Sequence, residues 1–97
     1  MSLQFIGEVG VYLPDEDAVK ITAIAGDSAI TCIVTRSALD AIGAASAEPW
    51  QIVKIFEARR IDCEIAALVK YRRATTKLQT LEITAADLAA IEGSHAA

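Results

Sequence analysis

The chain has 97 residues, 54% of them apolar and 23% charged, with a formal net charge of −4. It is too hydrophobic for a disordered chain and too interrupted by charge for a membrane one; the longest clean apolar run, Ile65-Ala66-Ala67-Leu68-Val69, falls far short of the ~20 residues of a spanning helix. The acidic balance repels phosphate backbones and argues against nucleic acid as the default partner.

The length is that of one domain, residues 1–97, large enough to bury a core without disulfide staples. Met1 to Phe5 lacks a basic segment followed by an apolar stretch, so a cytoplasmic location is expected. Cys32 and Cys63 are too few for a disulfide scaffold and read as small buried hydrophobes in a reducing compartment.

Val9, Val11 and Leu13 alternate, which predicts a short first strand closed by Pro14. Asp15-Glu16-Asp17 reads as a polar turn. A hairpin follows over residues 18–34: Val19, Ile21 and Ala23 share one face, Gly26-Asp27 supplies the turn, and Ser28 to Val34 returns. Thr35 or Ser37 can cap a short helix with Ala38, Leu39 and Ile42 on its apolar side, ended by Gly43 in the left-handed conformation.

Ser46 is the expected cap of a long helix from about Pro49 to Tyr71 or Arg73, with no glycine or proline after Pro49 to interrupt it. Glu48 suits its positive end, and Lys70, Arg72 and Arg73 its negative end. Thr80 to Ile83 reads as a short strand or an extended arm. Thr84 and Asp87 have capping-box spacing and open a second short helix through Leu88 and Ile91, expected to stop at Gly93 and leave 93–97 as a frayed tail.

These elements predict an α+β two-layer sandwich: an antiparallel meander of three strands, four if 80–83 joins, packed against one long helix with two short helices beside it. At 100° per residue the long helix carries one stripe through Ile52, Phe56, Arg60, Cys63, Ala67 and Lys70 or Tyr71, and another through Ala58, Ile61, Ile65 and Leu68 or Val69. One sheet covers one stripe, so the other is expected to face the short helices or a second copy of the chain, making a homodimer. Trp50, Phe5 and Phe56 are expected in the core.

Arg60 lies in the first stripe and has Glu57 three residues before it and Glu64 four after, an internal ion-pair arrangement that also defines a candidate binding cluster with Phe56. Lys70, Arg72, Arg73 and Lys77, with Tyr71, form the one feature that suggests phosphate or RNA contact. The single histidine, His95, stands near the end of the chain, so neither cysteine has an evident base, and no Cys/His cluster has metal-ligand spacing. The five glycines form no phosphate loop. No catalytic residue, metal or cofactor is assigned, and the chain reads as a non-enzymatic, self-associating interaction module. The alternatives are weak RNA or phosphate binding through Lys70–Lys77 and an Arg60–carboxylate pocket.

Cys32-Ile33-Val34-Thr35 followed by Ala38-Leu39, then Phe56-Glu57, Arg60, Glu64 and Ala67, then Ile83 and Asp87-Leu88, resemble a bacterial family of unknown function, DUF1488. The resemblance covers about residues 5–90 and implies a small α+β fold in bacteria without implying an activity. Cys63 stands where the family usually has Ile or Leu, which places it toward the core.

Overall fold

The structure is a computed structural model and describes residues 3–6, 9–74 and 79–95, with side chains through residue 91. The elements are β1 (Gln4–Phe5), β2 (Val11–Leu13), β3 (Ala18–Ala25), β4 (Ser28–Val34), α1 (Arg36–Ala41), α2 (Pro49–Ala58), α3 (Arg60–Arg73), β5 (Thr80–Ile83) and α4 (Ala85–His95).

The hairpin forms as its sequence predicts. β3 and β4 pair antiparallel from Val19↔Val34 to Ala25↔Ser28, and Gly26 turns the chain at φ +63°. β1 and β2 both pair with the outer edge of β3, while β5 pairs with β4 in parallel. The sheet is therefore mixed and five-stranded, not a meander. All three helices between β4 and β5 lie in one crossover, which returns the chain to the same end of the sheet and dictates a parallel neighbour.

Strand alternation divides the sheet. Val19, Ile21, Ala23, Ile30, Cys32, Val34, Leu81 and Ile83 are buried against the helices, which add Leu39, Ile52, Phe56, Cys63, Ala67 and Leu88 to one core. Lys20, Thr22, Ile24, Thr31, Ile33, Thr80 and Glu82 alternate with the core residues and are half-buried or exposed, so the opposite face of the sheet carries no layer. The two-layer α+β expectation holds at this level.

The expected single long helix is broken. Arg59 sits at φ −115°, ψ 18°, its N–H donating to the Phe56 carbonyl three residues back (2.9 Å), and α3 restarts as Asp62 and Cys63 donate to the Arg59 carbonyl. No glycine or proline causes this, so the cause is tertiary. α2 buries Ile52 and Phe56 beside β2, whereas α3 buries Cys63, Ala66 and Ala67 over β5 and α4. A twisted sheet offers those two surfaces in different directions, and one straight rod cannot follow both.

Local caps set the remaining ends. Gly43 at φ +101° closes α1, with the Ala44 N–H reaching back to the Leu39 carbonyl (2.9 Å). Glu48, not Ser46, caps α2, its N–H donating to Gln51 Oε1 at 2.9 Å. Thr84 and Asp87 form the predicted box: the Thr84 N–H donates to Asp87 Oδ2 (2.9 Å) and the Asp87 N–H to Thr84 Oγ1 (3.4 Å). α4 runs on to His95, past Gly93, where its end was expected. Trp50, expected in the core, is 67% exposed because it falls on the solvent side of the first turn of α2. Phe56 is fully buried, and Phe5 is half-buried against the core.

Candidate functional site

The four residues of the candidate cluster flank the break between α2 and α3. The Arg60 guanidinium donates through Nε to Glu64 Oε2 (2.8 Å), through Nη1 to Glu57 Oε2 (3.1 Å), and through Nη2 to the Ile6 carbonyl (3.0 Å). It lies 5.9 Å from the centroid of the Phe56 ring. Glu57 uses the same Oε2 to accept the Gly10 N–H at 2.8 Å. Burial works against the Arg60 charge, but the hydrogen bonds and charges of Glu64 and Glu57 outweigh it and hold its pKa above the ordinary value.

These contacts act on the edge of the sheet. Phe5 pairs with Ala23 and Val11 with Lys20, so six residues of the edge chain advance only three along β3. The edge chain is therefore longer than the stretch of β3 it flanks, a bulge between β1 and β2. Arg60 takes the carbonyl of Ile6 on one side of the bulge and Glu57 the N–H of Gly10 on the other. Phe56 fills the space beneath: a Cβ on Gly10 would lie 2.9 Å from the Phe56 ring and 2.8 Å from Val19 Cγ1. The cluster is thus a clamp that closes one sheet edge onto the helix junction. Arg60 is 14% exposed at its side chain, with Glu57 and Glu64 at 33% and 25%.

Gly10 was not among the sequence candidates. Its signal was present: an isolated glycine inside an alternating strand, Val9-Gly10-Val11, marks a bulge or a close backbone approach.

The basic cluster at the end of α3 is divided. Lys70 Nζ donates to the Glu82 carbonyl (2.6 Å) and to Asp87 Oδ2 (3.0 Å), tying α3 to the outer edge of β5 and to the cap of α4. Burial raises the Asp87 carboxyl, but the Thr84 N–H and hydroxyl and the Lys70 ammonium more than offset that and hold it below its usual value. Arg72 and Arg73 are exposed in the last turn, and Lys77 lies outside the described residues. A shallow hollow of about 500 Å³ opens beside Lys70, lined also by Glu16, Ala18, Ile33, Leu81 and Glu82. Asp17 of the polar turn accepts from the Tyr12 hydroxyl (2.6 Å) and pairs with Arg36 (3.3 Å), and that hydrogen bond raises the Tyr12 pKa.

Cys32 and Cys63 are both free and buried in the core, and burial pushes both thiols up to about 11. Neither carries a thiolate at neutral pH, so neither is poised as a nucleophile. Among the described residues no group of three or more His, Cys, Asp or Glu is placed to hold a metal, and no helix is long and apolar enough to cross a membrane.

The match to the family described as protein of unknown function (DUF1488) spans residues 3–83. The chain belongs to the DUF1488 family. It is also similar in fold to the crystal structure, at 1.60 Å resolution, of a DUF1488-family protein of unknown function from Shewanella loihica PV-4. The two share 21% identity with a TM-score of 0.70 over 84% of this chain and 91% of that one. No curated protein matches the chain. The matched DUF1488 span contains both the clamp residues and the Gly10 they hold.

Proposed function

We propose that this DUF1488 protein is a non-enzymatic module that works by association, first of all with a second copy of itself. The observation that carries the reading is a division of labour among its side chains. Phe56, Glu57, Arg60 and Glu64 are committed to one another and to the backbone at Ile6 and Gly10, whereas Val9, Val11, Ile24, Trp50 and Ile61 stand exposed. Scattered exposed apolar groups are ordinary, but here Val11 and Ile24 lie on a sheet face with no covering layer. The break at Arg59 weakens the case for association through the helices, since Ile65 and Leu68 pack against the core and leave Ala58 and Ile61 as the outward remnant of the second stripe.

Phosphate or RNA binding has less support, because Lys70 is engaged by Glu82 and Asp87. Sedimentation velocity from dilute to concentrated protein tests the proposal. The expected result is a reversible shift from monomer toward dimer mass; a monomer at every concentration overturns it.

A further inference from the structure

The open face of the sheet carries a charge pattern that pairs with itself. β3, β4 and β5 are in register so that Lys20, Ile33 and Glu82 form one row across the sheet, each directly beside the next. The neighbouring row is Thr22, Thr31 and Thr80. All six alternate with buried residues and point away from the helices. Lys20 and Glu82 stand two strands apart, about 10 Å, and neither takes part in an ion pair among the described residues.

From this register we infer that the open face is a dimer interface, with a two-fold axis lying in the interface along β4. The inference rests on the proposed self-association and adds the surface and the pairing. Rotation about that axis exchanges β3 with β5 while β4 faces itself. Lys20 of each copy then stands over Glu82 of the other, Ile33 meets its own copy, and the threonine row meets itself. A single isologous contact thereby satisfies both charges twice. Sheets packed face to face stay within about 30° of alignment, so residues one strand from the axis keep their opposition, and the length of the Lys20 side chain absorbs the remaining offset.

Area sets the strength. Strands about 4.8 Å apart with about 3.3 Å per residue give a face of roughly 400 Å² in projection. A stable interface buries about 800 Å² of accessible surface per partner. The dimer is accordingly weak and dependent on concentration. The helix side has no comparable pattern: Trp50 and Ile61 lie on opposite sides of the break, and Arg59 beside Ile61 is already paired with Asp62 at 2.7 Å.

A charge-exchange cycle tests the inference by sedimentation equilibrium. Lys20→Glu opposes two carboxylates at each contact and Glu82→Lys two ammoniums, so each variant alone should dimerise about tenfold more weakly or worse. The two variants mixed, and the doubly exchanged chain, should dimerise like wild type. Both positions lie outside the core, and matching urea midpoints verify that each variant folds. Dimerisation of wild type with neither single variant weakened overturns this face while leaving self-association standing, and Ile61→Ser then tests the helix side. Weakening of both without recovery in the mixture overturns the Lys20–Glu82 pairing. A wild type that stays monomeric overturns both readings.

Discussion

The two faces of the molecule handle charge in opposite ways. On the helix side, Arg60 is surrounded by Glu57, Glu64 and the Ile6 carbonyl, and the set is closed within one chain. On the open face, Lys20 and Glu82 share a row yet stand too far apart to touch. A charge cluster that a sequence displays prominently can thus be structural, while an unremarkable pair of charges on alternate strands can be the surface that meets a partner. Residues of the first kind should change stability and leave association alone. Residues of the second should do the reverse.

The largest effect expected on the helix side is from Phe56→Ala, which empties the space beneath the bulge and should lower unfolding free energy by about 3–5 kcal/mol in urea denaturation. Gly10→Ala approaches the same contact from the other side. Its Cβ would press on Val19 and Phe56, and a loss of about 1–3 kcal/mol is expected. An unperturbed Gly10→Ala protein would show that the bulge is not held against the ring.

Asp87→Asn tests the α4 cap and should cost about 1 kcal/mol near neutral pH. Because the folded carboxyl has its pKa depressed, its stabilisation is full above the unfolded value of ~3.9 and fades as pH falls through the folded value. The gap between wild type and variant should therefore close in acid; a gap constant with pH would remove the carboxylate from the account. The smallest effect belongs to Trp50→Ser, within about 0.5 kcal/mol, since the ring is exposed. A larger loss would place Trp50 in contact with something that the exposed geometry leaves out.

What could be read from sequence was what local chemistry decides. The hairpin announces itself through Gly26-Asp27 between β-branched runs, the α4 cap through Thr84 and Asp87, and the Arg60 pairings through spacings of three and four on a helix. The break at Arg59 was hidden because nothing in its own segment causes it: the surfaces that α2 and α3 cover, on β2 and on β5 with α4, belong to distant parts of the chain. Parallel β5 was hidden for a related reason, since strand direction follows from the path of the crossover and not from residues 80–83. β1 has only two residues, too few for any periodicity. Trp50 misled because size and apolarity predict burial on average, while the phase of α2 decides the individual case.

The most recognisable residues hold the fold, through a clamp shared by Glu57 and Arg60. The most direct test is a double-mutant cycle, Glu57→Ala, Arg60→Met and the pair, followed by urea denaturation at a concentration where the chain is monomeric. Each single change should cost about 1–3 kcal/mol, because each leaves a backbone group of the sheet edge or a carboxylate of the clamp without its partner. The double should cost less than the sum by about 1 kcal/mol. Single variants as stable as wild type, or costs that simply add, would contradict the clamp.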